Sequence, residues 1–590
     1  MGVVRRWIGI VAALSMSACA PRLPAYRPSV PIALDQNWSE AQWQRYHHAS
    51  QGTATLKVPY AWLLALEEPR LSLFGDVPLF VAPEYLSRFG FIPSPKSADN
   101  PDGLPVGFAR DPDYVDPVTG EKKVAVGFTC AACHTGQIEY KGTVMRIEGG
   151  PALTDLGKFR EALSLAVGYT RYVPGRFGRF ASRVLSGHDT TEARSTLEQE
   201  LKDFVDAGKK DLELELASKD VEEGFARLDA INRIGNFVFG NELDASNVAK
   251  LTAPVNYPHI WDASWFDWVQ YNGSIRQPMV RNAGEAMGVL AGVNLRGPTA
   301  DLYKSTVKVK TLYEIEELLA GAAPYKGLRS PRWPAEILGE IDAAKAARGA
   351  ALYTELCQGC HLPPLDSKEM QDPASPYWSE PNAAGERYLT LRMVKIDYVG
   401  TDPGQAAGMI SRKVQTGPLG MGEAAFGPAL GTVVERTVSR WYDEQAPPVS
   451  AADRARMNGN RDNLIRAELK YKTRPLDGIW ATAPYLHNGS VPNLYLLLGT
   501  ASERPKTFFL GSRQFDPQHV GYDYAKLDGG FEMDTTIPGN SNRGHEFRDA
   551  PLGNGVVGRA LLEDERWALI EYLKTLDSPL PRGKGDSPPR

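Results

Sequence analysis

Cysteine is scarce in this 590-residue chain: there are five, at positions 19, 130, 133, 357 and 360. So few exclude a small disulfide-stapled scaffold, which needs a far higher cysteine density. Positive charge is not in excess either. Lys and Arg number 66 against 71 Asp and Glu, a formal net charge of −5, and that balance argues against a nucleic-acid binder. Past the first twenty residues no run of about 20 apolar residues occurs, so no transmembrane helix is expected in the mature chain. No repeat or low-complexity segment stands out. The remainder is ordinary for a globular protein, with 43% hydrophobic and 23% charged residues. A chain of 590 residues is too long for one ordinary core and suggests two or three domains.

The first residues, "MGVVRRWIGIVAALSMSACA", read as an export signal. Arg5 and Arg6 form the positive region, residues 7–16 the short apolar region, and Ser17 and Ala18 precede Cys19. Met-Ser-Ala-Cys resembles a bacterial lipobox, which would make Cys19 the acylated first residue of the mature protein. The competing cut after Ala20 would leave Pro21 behind it, which is unfavourable. The expected location is the periplasm or the outer membrane as a lipoprotein, surface-exposed or secreted. Residues 1–19 are thus the signal and residues 20–34 a Pro-rich tether.

The other four cysteines fall into two identical patterns. "GFTCAACHTG" carries Cys130, Cys133 and His134, and "TELCQGCHLP" carries Cys357, Cys360 and His361. Disulfides would account for an even number of thiols but not for the histidine after each pair. Zinc would need the two pairs close in sequence, and over two hundred residues separate them. Covalent haem attachment accounts for every residue of C-x-x-C-H. Thiols at i and i+3 share one face of a helical turn and can add to the two vinyl groups of one porphyrin. The following imidazole then reaches the iron as proximal ligand. The pattern predicts two covalently bound haem c groups.

The expected fold is mainly α with long ordered loops and little β, built as two cytochrome c-like haem domains. Residues 35–330 form an N-terminal haem domain with the catalytic role, and residues 338–578 a C-terminal electron-transfer domain. "GLRSPRWPAE" (327–336) marks the boundary, and residues 579–590 are a flexible tail. Residues 337–361 read as a helix leading into the second motif, and residues 560–576 as another. The charge-rich stretch 190–240, with Leu197, Leu201, Phe204, Phe225, Leu228 and Ile231, reads as a helical hairpin over the first domain.

The sixth iron position decides each haem's role. Seven histidines lie outside the motifs: His47, His48, His188, His259, His487, His519 and His545. His545, in the Gly- and Asn-rich "PGNSNRGHEF", is the candidate second ligand to the C-terminal iron. His487 is a further candidate, and Met409 and Met421 are competing ligands. No equally clear ligand exists for the first haem. Trp261, Trp265, Phe266, Trp268 and Tyr271 crowd into eleven residues, and most of these rings belong to a core. Trp265, Phe266, Trp268 and Glu285 are the distal-pocket candidates, with Gln277 and Arg281 as further polar groups and Asp267 as a second carboxylate.

Two C-x-x-C-H motifs followed by "APYLHNGSVPNLYLLL" resemble the bacterial di-haem cytochrome c peroxidase superfamily. Within it the chain looks most like the rubber oxygenases, through "CAACHTGQIEYKGTVMRIEGGPALTDL", "WFDWVQYNGSIRQPMVRNAGEAMGV", "VGTDPGQA" and "NSNRGHEF". The resemblance implies that His134 is proximal to an O2-binding catalytic iron, and that His361 and His545 together hold the second. It implies a Phe and a Trp near the distal face, and cleavage of C=C bonds of an apolar alkene such as polyisoprene, or oxygenation of another unsaturated lipid. The alternative is a peroxidase that reduces H2O2 with electrons from a small redox protein. Such chemistry requires a distal acid–base group, and Glu285 is the nearest candidate. A carrier without catalysis would need neither this length nor this aromatic segment.

Overall fold

The computed structural model describes residues 20–26, 28–71 and 77–579. The expected export signal with Cys19, and the expected tail from residue 580, lie outside the described residues. The segment that follows the signal is docked on the body rather than free. Leu23 is buried, Arg88 donates to the carbonyls of Leu23 and Pro24, and Tyr26 lies under the Arg513 guanidinium at 3.9 Å.

The expectation of a mainly α chain with little β is overturned. The chain is 38% helical and 15% strand, and the strands form one three-stranded and seven two-stranded sheets among the described residues. Nor does it divide into two like haem domains. The first C-x-x-C-H sits in a β frame: strands Phe108–Val115 and Lys122–Phe128 pair antiparallel just before it. Strands Thr135–Tyr140 and Thr143–Glu148 pair antiparallel just after it. The second hairpin turns at Lys141 and Gly142, both with positive φ (48° and 83°), the turn whose twist suits adjacent strands. The second motif instead follows the helix Ala343–Leu356, capped by Asp342, whose side chain accepts from Lys345 N.

Residues 190–240 are not a hairpin of helices. One 28-residue helix, Thr191–Ser218, is capped by the Thr190 hydroxyl and buries Leu197 and Leu201. Beyond it Arg227–Leu228 pairs as a strand with Val255–Asn256, and helix returns only in the short Ala230–Gly235 and Asn236–Asn241.

One buried cluster crosses the expected domain boundary. Tyr46, Met145 and Ile147 share it with Leu352, Trp480 and Leu569. In another, Val280 and Met287 of the helix Pro278–Gly288 meet Leu430 and Val434 of the helix Phe426–Glu444. This second cluster builds the wall of the first site from both halves of the chain.

Candidate haem sites

Cys130 opens a single 3-10 turn, Cys130–Ala132. The Thr129 hydroxyl accepts from Ala131 N at 3.3 Å and donates to the His47 carbonyl at 3.0 Å. Cys133 N and His134 N both donate to the Cys130 carbonyl, at 3.2 and 2.9 Å. The two thiols and the imidazole are therefore set by one turn. Neither thiol is in a disulfide, and burial pushes both up to about 12, so they are held as thiols.

His134 Nδ1 lies 2.8 Å from the Pro258 carbonyl. A carbonyl only accepts, so Nδ1 carries the proton and the Nε2 lone pair is free. Burial lowers the ring to about 4, which keeps it neutral, the form that binds a metal with its other nitrogen hydrogen-bonded. Tyr46 donates its hydroxyl to the His134 carbonyl at 3.0 Å.

Both thiols and His134 line a cavity of ≈ 230 Å³. Its walls include Ile231, Ile234, Val255, Phe266 and Val434, together with Lys472 and Arg474. The Lys472 ammonium has no hydrogen bond or ion pair among the described residues and sits 4.7 Å from the Phe266 ring centre. Burial, then the nearby Arg474 and Arg281 charges, depresses its pKa well below the usual lysine range. A buried cation without a partner is costly. An apolar slot with paired thiols, a free imidazole nitrogen and unneutralised cations fits haem, a flat apolar macrocycle that carries two carboxylates.

Of the sequence candidates, Phe266 and Glu285 lie in this wall. Gln270 Nε2 donates to Glu285 Oε1 at 3.0 Å, and burial raises the carboxyl. Trp265 and Trp268 are not in the wall. Trp265 donates to the Ala320 carbonyl at 2.8 Å and stacks on Tyr388, while Trp268 lies 3.9 Å under the Arg466 guanidinium. Arg281 lines the cavity but is paired with Glu316. Gln277 donates to the Arg461 carbonyl, and Asp267 pairs with Arg276. Met409 lines this first cavity, and Met421 packs on the cluster behind it. His487 lies against Tyr471, ring centres 4.3 Å apart.

The second motif repeats the turn. Cys360 N and His361 N donate to the Cys357 carbonyl at 3.0 and 2.9 Å, and His361 Nδ1 donates to the Arg474 carbonyl at 2.8 Å. His545 faces His361, with ring centres 6.2 Å apart and planes at 65°. Two imidazoles bound on opposite sides of one metal, each at about 2.0–2.1 Å, stand about 6 Å apart centre to centre. His545 Nδ1 is buried without a hydrogen-bond partner, and burial lowers the ring to about 3. The pair thus fits a six-coordinate iron.

The loop that carries His545 is tightly specified. Gly544 has φ +78°, and a Cβ there would meet the Val399 carbonyl oxygen at 2.3 Å. His545 itself has φ 49°, a conformation non-glycine residues rarely adopt. Its N–H donates to the Val399 carbonyl at 2.8 Å. The buried Arg504 guanidinium donates to the carbonyls of Asn542, Gly544 and His545.

Arg474 ties the two sites together. Its carbonyl accepts from His361, and its side chain donates to the His259 carbonyl, one residue from the carbonyl that orients His134. Sequence reasoning missed Lys472 and Arg474. The available signal was their i, i+2 spacing, which points both to one face of an extended chain.

Residues 470–509 match the family described as RoxA-like, cytochrome c-like. A cytochrome c-like segment implies covalently bound haem c and an oxidoreductase class. The matched stretch holds neither C-x-x-C-H motif, but it supplies Lys472, Arg474 and His487. The chain is also similar to the uncharacterized protein y4iM of Sinorhizobium fredii (strain NBRC 101917 / NGR234), 26% identical over 335 residues, 54% of this chain and 63% of that protein. It is 53% identical over 561 residues, 92% of its own length and 93% of the relative's, to the uncharacterized protein y4iJ of the same strain, and it belongs to that protein's family.

Proposed function

We propose that this chain is an exported di-haem c-type oxidoreductase that uses O2 to cleave or oxygenate C=C bonds of an apolar substrate such as polyisoprene or an unsaturated lipid. The haem at Cys130 and Cys133 would supply O2 activation and the haem at Cys357 and Cys360 electron transfer. The observation that carries this reading is the asymmetry between the sites. His545 stands opposite His361, whereas the cavity of His134 has only one other imidazole in its wall among the described residues, His259. That ring is stacked on Trp261 at 4.4 Å.

The chain's own residues have distinct tasks in this reading. His134, oriented by the Pro258 carbonyl, would hold the iron through its Nε2. Ile231, Ile234, Val255, Phe266 and Val434 exclude water and hold an alkene by apolar contact. Lys472 and Arg474 offer positive charge to the haem carboxylates. Glu285, which accepts from Gln270 and lines the cavity, is the carboxyl that could hold or move a proton there.

Glu285 also favours a second reading, the peroxidase. A carboxyl within the cavity could move a proton between peroxide oxygens, a service worth about 10²–10⁴-fold. One experiment separates the two. Purified protein supplied with polyisoprene latex or an unsaturated fatty acid under O2 should release carbonyl or hydroperoxide products. H2O2-dependent oxidation of reduced cytochrome c, without O2 uptake on any alkene, would instead select the peroxidase.

A further inference from the structure

A second cavity, ≈ 370 Å³, lies beneath the distal half of the helix Thr191–Ser218. Val58, Leu163, Val167, Phe204, Phe237 and Leu251 give it an apolar side, and Lys57, Arg160, Asp211, Glu215 and Arg233 a charged one. It meets the His134 cavity at Gly288, which lines both, with Val289 on the inner side and Leu290 on the outer. A Cβ on Gly288 would have only Ile234 within 4 Å, at 3.6 Å. The residue common to both cavities thus carries no side chain, and its nearest side-chain neighbour is Ile234.

The covering helix is unevenly anchored. Leu197 and Leu201 bury its first half, whereas Leu212 and Leu216 in its second half are 48% and 55% exposed. That second half is tied across the cavity by ion pairs, Asp211 with Lys57 and Glu215 with Arg160. The first pair is exposed and the second, half-buried, is at the 4.0 Å limit of contact, so neither holds the helix strongly.

We propose that this outer cavity is the entrance and holding site for the remainder of an elongated apolar chain whose reacting C=C bond lies in the inner cavity. The proposal rests on the oxygenase reading and names its substrate as a long, slender hydrocarbon chain rather than a compact ring. At the shared Gly288 no side chain stands in the way of such a chain. The apolar walls of two adjoining cavities offer it more buried surface than either alone. The distal half of the helix is the cover that lifts to admit it.

The test uses the holoprotein and the fluorescent polyene chain cis-parinaric acid, whose emission the haem should quench on binding. Gly208 lines the outer cavity, and its Cβ position has nothing within 4 Å. Gly208→Trp places a large ring at the exposed rim of the chamber, where it has room to cover it. Ser164→Trp does the same from the helix Leu156–Tyr172 at an exposed position, should the first variant fold poorly. Each should weaken probe binding at least tenfold and lower kcat/KM for a long alkene similarly, while CO binding to the ferrous protein stays unchanged. Gly288→Leu should leave probe binding in the outer chamber but abolish turnover of the long alkene. Unchanged probe affinity in a folded Trp variant, or wild-type turnover of the long alkene by it, would overturn the proposal. If the wild-type protein oxidises no alkene, the oxygenase reading falls by itself, and the probe data still decide whether the chamber takes a chain.

Discussion

His134 and His361 are oriented alike, each giving its Nδ1 proton to a backbone carbonyl 2.8 Å away. Local spacing makes this half of each site readable from sequence, because residues i, i+3 and i+4 on one turn need no distant partner. The opposite half comes from far along the chain. Lys472 reaches the first cavity across more than three hundred residues, and which ring of 265–268 faces inward depends on packing that no local pattern encodes. His545→Ala should convert one low-spin haem to high-spin, seen as a change in about half of the visible absorption, while an unchanged spectrum would exclude the ligand assignment. His48, beside the His47 carbonyl that holds the Cys130 turn, offers a pH test. It is hydrogen-bonded to the Phe108 carbonyl and to Ser94, and burial lowers it from 6.5 to about 4. The unfolded chain takes up this proton near pH 6.5 and the folded chain only near 4, so stability is lost as pH falls through that window. At about 1.4 kcal/mol per unit the loss is about 3 kcal/mol. Denaturant midpoints of His48→Gln at pH 7 and pH 4 should differ less than those of the wild type by about that amount.

Among the elements, the helices flanking the second motif were legible from apolar spacing, and the β frame of the first was not recognised. The run "TGQIEYKGTVMRIE" carries the β-branched content and the Lys-Gly turn of a hairpin, a signal that an expectation of a mainly α fold leaves out. The stretch 190–240 failed differently. Its helical period is real through residue 218; a two-residue strand, Arg227–Leu228, then interrupts it, and helix resumes at Ala230–Gly235, which carries Ile231. Gly544→Ala tests the loop that presents His545. With positive φ and a carbonyl oxygen 2.3 Å from the new methyl, it should cost about 1–3 kcal/mol in thermal or denaturant unfolding. It should also raise the high-spin fraction. Leu569, fully buried on the helix Glu563–Thr575, should cost about 2–5 kcal/mol as Leu569→Ala.

At the scale of the molecule, the Pro-rich segment 327–336 suggested a boundary between independent units, yet the buried clusters run across it. Met409, Phe426 and Lys472 close the cavity of a motif that lies near residue 130. Residues 35–330 expressed alone should therefore lack a cooperative unfolding transition by circular dichroism, where a self-sufficient domain would show one. The same interdependence lets Arg474 contact the supports of both proximal histidines, so the two iron sites are expected to act as a coupled pair. The most direct measurement is the low-temperature EPR spectrum of the oxidised protein as isolated. A low-spin signal from an iron between His361 and His545, together with a separate signal from an iron with an open or weakly held sixth position at His134, is the predicted result. Two low-spin signals each from a pair of strong nitrogen ligands, or no haem signal at all, would contradict it.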